Sequence, residues 1–209
     1  MAGQFPSAKK KAELRAAVLK KRDALTTRVA EARSRALCER LDALDGLEQF
    51  HSLAAYAPIR NEIDAGDYLA GRIDRGAQLY FPRVRGESAL DFVAVDSLDQ
   101  LSPGAFGVPE PAGEPTPIAQ IELFFVPGAA FDRHGRRLGF GRGFYDRALA
   151  RANRSRAELQ APKPAPWLVG ICYEWQLIEG QIPVEPHDIS MDMIATEQEV
   201  VFCSDRRLT

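Results

Sequence analysis

Residues 121–149 constrain this chain more than any other stretch. Ile121 to Phe125 is a short β-branched and aromatic run, the composition of a buried strand. Gly135, Gly139, Gly141 and Gly143 follow, interleaved with Arg136, Arg137 and Arg142. From Phe144 the spacing turns helical, with Ala148 and Leu149 on one side and Arg147 and Arg151 on the other. A strand that feeds a glycine-rich basic loop and then a helix start suits an anion. Glycine lets backbone N–H groups approach a phosphate, and the helix N-terminus adds favourable partial charge. Arginine supplies bidentate, charge-assisted contacts. The loop lacks the Lys-Ser/Thr ending of a P-loop, and its alternating glycines do not fit a dinucleotide fingerprint. A surface turn with solvated arginines is the competing reading.

The rest of the chain narrows the class. Its 209 residues, 45% hydrophobic and 27% charged, match an ordinary globular protein with one sizeable core. A net charge of -2 argues against general nucleic-acid affinity. No apolar run reaches membrane-spanning length, and MAGQFPSAKKKAEL has no signal-peptide core. Cys38, Cys172 and Cys203 are far apart and form no C-x-x-C pair, so buried free thiols in a reducing compartment are expected. A cytoplasmic protein follows as the expectation.

In chain order, Ser7 fits an N-cap for a helix over 9–24, and a second helix is expected over 27–44. Lys11 and Arg15 lie four apart and share a helix face, which by itself reads as solvated. Strands are expected at 52–56, at 78–81 with Pro82 as the stop, at 91–95, at 121–126, at 167–172, at 193–196 and at 199–202. A short helix is expected near 65–72, and another from Phe144 to about Asn153. The proline-rich stretches 102–117, 161–166 and 182–188 read as loops, 161–166 as a mobile one. The alternation implies an α/β fold: a single Rossmann-like layered domain over 1–209, with N-terminal helices in 7–45 and a mostly parallel sheet flanked by helices in 52–203. Ligands then gather at the C-terminal strand ends, where the loops after Tyr56, Phe81, Phe125 and Val184 would meet.

Carboxylates are the second clue. Asp146 falls in the first turn of the helix fed by the glycine loop, and Asp188 sits in a late loop. A carboxylate beside a phosphate is repelled unless a cation bridges them, which points to Mg²⁺. A helix-dipole contact for Asp146 and a turn role for Asp188 are the alternatives. The histidines are too scattered for a zinc site, and no serine or cysteine sits in a nucleophile elbow. Phosphoryl transfer fits better than covalent catalysis.

Several motifs now fall together. VPGAAFDRHGRRLGFGRGFYDR, the K-x-x-L-R from Lys11 to Arg15, the Tyr56–Asp64 segment, FPRV, GVPEP and PVEPHD appear in order across most of the chain. Together they resemble the 5-formyltetrahydrofolate cyclo-ligase family. The resemblance implies an enzyme that uses ATP and Mg²⁺ to close 5-formyltetrahydrofolate into 5,10-methenyltetrahydrofolate. The formyl oxygen is phosphorylated, N10 attacks, and ADP and phosphate are released. It implies ATP contacts at Lys11, Arg15, Arg137, Leu138, Gly139, Phe140, Gly141, Arg142, Gly143, Phe144 and Tyr145. It implies folate contacts at Glu62, Phe106, Phe140, Gly141, Arg142, Gly143 and Phe144, and a metal site at Asp146 and Asp188. Arg142 takes the catalytic position, where many members carry lysine or glycine. Phe144 replaces the more usual tyrosine, and Phe106 stands where some members place tryptophan. Arg83, by its charge, is expected to face the folate's glutamate carboxylates. The partners implied are the two small molecules, with no nucleic acid or membrane and a monomeric chain. The alternative is a non-catalytic module that binds a phosphate ligand or nucleic acid through the arginine-rich run from Arg133.

Overall fold

A computed structural model describes residues 7–158 and 164–208. Among the described residues four α-helices, α1 (Ser7–Asp23), α2 (Thr27–Asp42), α3 (Gly66–Asp74) and α4 (Phe144–Glu158), accompany thirteen short strands. The strands are β1 (Ser52–Ala54), β2 (Gln78–Arg85), β3 (Ala89–Val95), β4 (Leu101–Pro103), β5 (Pro109–Pro111), β6 (Pro115–Thr116), β7 (Leu123–Pro127), β8 (Ala130–Asp132), β9 (Arg137–Leu138), β10 (Trp167–Ile171), β11 (Leu177–Ile178), β12 (Met193–Ala195) and β13 (Val200–Phe202). Eight of them form the main sheet, in the order β13-β12-β10-β7-β1-β2-β3-β6. The five strands from β12 to β2 run parallel, and β13, β3 and β6 add antiparallel edges.

Side-chain alternation along the central strands builds two cores. In β7, Leu123 and Phe125 point to one face, with Leu37 and Leu41 of α2 and Tyr68 and Leu69 of α3. Phe124 and Val126 point to the other, with Ala148, Leu149 and Ala152 of α4. Every β7 residue is buried, as a parallel strand covered on both faces requires. Each fully buried Leu or Phe there contributes about 1.5–3 kcal/mol of transfer free energy. Thr26 caps α2 by accepting from Val29 N. Cys38 and Cys172 are buried free thiols, and Cys203 is half-buried.

Several expectations need correction. β2 does not stop at Pro82 but continues to Arg85, because Pro82 lies two residues past the last β1 pair, Ala54–Tyr80, while β3 still pairs opposite it at Phe92. The Pro82 nitrogen lies on the β1 side, the side on which Gln78 N donates to His51 O, so the missing N–H ends the β1 ladder and leaves the β3 ladder intact. The segment from Gly135 to Gly143 is not one loop. β9 lies within it and pairs with the preceding β8 as a small hairpin, so Gly135 turns the hairpin and only 139–143 lead into α4. The region 102–117 carries the two-stranded β4–β5 ribbon and β6 as well as loop. Residues 182–188 carry neither strand nor helix, in agreement with the loop expected there. Ser7 is itself part of helix α1 rather than a residue preceding it. Residues 161–163 of the proline-rich connector lie outside the described residues.

Candidate active site

The C-terminal ends of β1, β2 and β7 open into a cleft of about 170 Å³. One wall is Tyr56, Ala57, Ile59 and Glu62, from the segment after β1. A second is Pro82 and Val84 of β2, with Leu90 of β3 beside them. Phe106, Val108 and Glu110 close a third side. The floor and fourth wall come from Pro127, Arg137, the 139–143 loop and the first turn of α4.

Glycine geometry makes the 139–143 loop possible. Gly141 and Gly143 have φ values of 100° and 64°, in the left-handed region that side chains avoid. The loop is held from outside by Arg15, whose Nε donates to Gly139 O at 2.8 Å. Arg137 is buried beneath it and pairs with Asp146 Oδ1 at 2.7 Å. Its Nε has no hydrogen-bond partner, and neither has the buried Tyr145 hydroxyl. Burial, with Glu62 nearby, pushes the Tyr145 phenol well above its ordinary pKa against the pull of Arg137, so it stays a protonated donor. Unpaired buried donors at a cleft floor are groups a ligand can satisfy.

Arg142 lies over the Phe106 ring at 4.1 Å from its centroid. Phe106 is 61% exposed and holds a φ of 57°, unusual for a bulky residue. Phe144 approaches Phe106 at 6.4 Å between centroids. These three side chains frame the mouth. Opposite them, Glu62 Oε1 accepts from Arg22 at 2.9 Å, and Oε2 accepts from Ile59 N at 3.1 Å. Burial raises the Glu62 pKa above the ordinary carboxylate range, and Arg22 limits the rise.

Ten of the expected residues line this cleft: Glu62, Phe106, Arg137, Gly139, Phe140 and Arg142 to Asp146. Gly141 sits in the same loop, its α-carbon facing Arg15. Leu138 is buried in a small core under the hairpin with Val18, a supporting place rather than a lining one. Lys11 and Asp188 form a separate pair at 3.0 Å, with Glu185 at 3.1 Å from the same ammonium. Burial works to lower the Lys11 pKa, but the two carboxylates outweigh it and hold it above the ordinary value. Asp188 is lowered: burial opposes, and the Glu185 N–H and Lys11 overcome it. Arg83 is not in the cleft. Residues 82 and 84 take the inner side of β2, so 83 points away and donates to Gly113 O at 2.8 Å.

The arginine run is not a free cationic track either. Arg133 pairs with Glu199, Arg136 with Gln181, Arg147 with Ser88 O and Arg151 with Leu90 O. Spacing along α1 hid a further feature. Lys11, Arg15, Val18 and Arg22 fall on one stripe, and Val18 docks it against the β8–β9 hairpin. Reading Lys11 and Arg15 as a solvated face therefore fails. Arg22 was missed because one arginine in a basic run carries no sequence signal of burial.

The sequence model of the 5-formyltetrahydrofolate cyclo-ligase family matches residues 7–197. The chain belongs to that family. Among its relatives, the 5-formyltetrahydrofolate cyclo-ligase of Mycolicibacterium smegmatis is 30% identical over 91% of this chain and 95% of its own. The 5,10-methenyltetrahydrofolate synthetase of Aquifex aeolicus, solved by NMR, superposes with a TM-score of 0.78, at 33% identity and 94% coverage of each chain. That of Mycoplasma pneumoniae gives 0.69 at 25% identity, covering 90% of this chain and 98% of its own. The cleft thus lies in a family of folate cyclo-ligases. Among the described residues no helix is long and apolar enough to cross a membrane.

Proposed function

We propose that this chain uses ATP and Mg²⁺ to close 5-formyltetrahydrofolate into 5,10-methenyltetrahydrofolate. The formyl oxygen attacks the γ-phosphorus and ADP departs. N10 then adds to the activated carbon, its proton is lost, and the oxygen leaves with phosphate. A formyl amide oxygen is a poor leaving group until phosphorylated, and holding N10 next to the carbon makes the closure effectively unimolecular. The observation that carries the reading is the shared cleft: a glycine loop with a basic floor on one wall, and a buried carboxylate with apolar neighbours on another.

Each residue has a task in this scheme. Backbone N–H groups of 139–143 and the guanidinium of Arg137 receive the phosphates. Arg142 meets the charge that develops on the transferring phosphoryl group, which is where a fixed cation acts most strongly. Glu62 accepts hydrogen bonds from the amino and ring N–H groups of the pterin. Phe106 and Phe144 cover the ring. Lys11 and Arg15 bind the nucleotide from α1.

Mg²⁺ fits as an ion carried in by ATP. Among the described residues no cluster of three or more His, Cys, Asp or Glu could cage a metal. Mg²⁺ commonly takes only one or two carboxylates beside phosphate oxygens, and Asp146 and Asp188 are those carboxylates. When bound, the ion neutralises phosphate charge. Both carboxylates already hold a cationic partner, Arg137 and Lys11, which the phosphates take over.

The test is the absorbance of the methenyl product, with protein, 5-formyltetrahydrofolate, ATP and Mg²⁺, each omitted in turn. A rise that needs all four is expected. No rise with intact folate and ATP binding would leave a member that has lost its chemistry, and Arg142→Lys and Phe144→Tyr would then be the repairs to try.

A further inference from the structure

A deeply buried charge beside the cleft lies outside the glycine loop. Arg22, in the last turn of α1, is 2% exposed. Its Nη1 donates to Glu62 Oε1 at 2.9 Å, and the Phe140 ring lies 5.2 Å from its guanidinium carbon. Its Nε has no hydrogen-bond partner. The segment that carries Glu62 is itself tied to the end of α1. Asn61 Nδ2 donates to Leu25 O at 3.1 Å, and Arg60 pairs with Asp23 at 2.9 Å. A guanidinium buried with a donor to spare is costly to keep, and breaking such a pair from one side leaves an uncompensated charge.

We propose that Arg22 is a positioning residue of the folate subsite, fixing the orientation and the ionised form of Glu62. The inference rests on the reading of Glu62 as the pterin's acceptor. Arg22 and the Ile59 N–H occupy one site on each carboxylate oxygen. A carboxylate offers roughly four such sites, so two remain for ligand N–H groups. Without Arg22 the carboxyl would sit buried beside Arg60 alone among cations, and would hold its proton at higher pH. A protonated carboxyl becomes a donor and meets the pterin N–H groups donor to donor.

The pH dependence follows from the groups around Glu62. Burial raises its pKa, while Arg22 on α1, the Ile59 N–H and Arg60 lower it. The Tyr56 and Tyr145 hydroxyls, from the segment after β1 and from α4, are both pushed up by burial and stay neutral. Folate binding needs the ionised form, so it is lost as pH falls through the Glu62 pKa. Taking away the cation moves that limb to higher pH.

The experiment measures KM for 5-formyltetrahydrofolate and for ATP against pH in the wild-type chain, Arg22→Gln, Arg22→Lys, Glu62→Gln and the double variant R22Q/E62Q. Arg22→Gln should move the low-pH limb of folate KM to higher pH. On the acid side of both limbs, KM should then rise roughly tenfold for every pH unit that separates them. The KM for ATP should change far less. Arg22→Lys should bring the limb back toward the wild-type position. In the Glu62→Gln background, Arg22→Gln should add little. A folded Arg22→Gln protein with the wild-type profile, or one whose folate KM rises equally at every pH, overturns the proposal. If Arg22→Gln does not fold, the neutral and similarly long Arg22→Met reads the same limb, and an unmoved limb there overturns the proposal. Glu62→Gln with an unchanged folate KM would instead sink the reading of Glu62 beneath it. Should the wild-type chain show no turnover, folate binding by calorimetry reads the same limb.

Discussion

Asp132→Ala should cost a large share of the chain's stability, although Asp132 touches no expected ligand. The carboxylate is fully buried at the end of β8. Its Oδ1 accepts from His134 N at 2.9 Å and Arg136 N at 3.1 Å, and its Oδ2 accepts from Ile182 N at 2.8 Å. One side chain thus closes the turn that leads to the 139–143 loop and also ties down the 182–188 segment that carries Asp188. Hydrogen bonds to a charged acceptor contribute about 1.5–3 kcal/mol each, and two of these three lie at half-buried sites where water replaces part of the loss. The net cost should be about 3–5 kcal/mol, a large share of a total near 5–15 kcal/mol. The urea midpoint would fall by roughly 2 M, read by circular dichroism. Asp132→Asn should lie between, since its carbonyl keeps two acceptances while its amide faces an N–H. Both variants should raise the KM for ATP, because the two segments lose their common tie. A midpoint shift under about 0.5 M for Asp132→Ala would refute this reasoning.

Two further outcomes follow from the geometry. Gly135→Ala should destabilise by about 2–4 kcal/mol, since a φ of 80° is left-handed and a Cβ there would be driven into Met191 O, whose own N–H donates to Gly135 O at 2.8 Å; a thermal melt within a degree of wild type would contradict it. Asp146→Asn should raise the Mg²⁺ needed for half-maximal rate by roughly tenfold or more, with a much smaller effect on folate KM; an unchanged Mg²⁺ titration would remove Asp146 from the metal site.

Legibility followed the range of the interactions. The β7–loop–α4 unit could be read because its strand composition, glycines and helix spacing are all local signals, and the alternating elements gave the layered sheet. The hairpin inside it could not. β8 and β9 are three and two residues long, and the charged stretch between them resembles open loop. What holds them is long-range: Asp132 reaching Ile182, and Val18 of α1 on Leu138. The continuation of β2 past Pro82 depends on where a neighbouring strand happens to end, which no local pattern encodes. Site residues carried by the loop motif mostly met in the cleft. Arg22 and the walls at Pro82, Val84 and Leu90 emerged only once distant segments packed.

Helix α1 is fastened in an unusual way. Val18 and Arg22 are its only buried positions among the described side chains, with Leu14 partly covered. The rest of its hold is ionic or polar, through Lys11, Arg15 and Asp23. So little apolar area makes α1 a latch rather than a piece of the core, and its hold should weaken with salt before the sheet does. The same arms that hold it shut are those that would meet the nucleotide and set the folate carboxylate. Substrates would therefore bolt the latch as they bind, and an empty protein would be the one most easily opened from its N-terminal side.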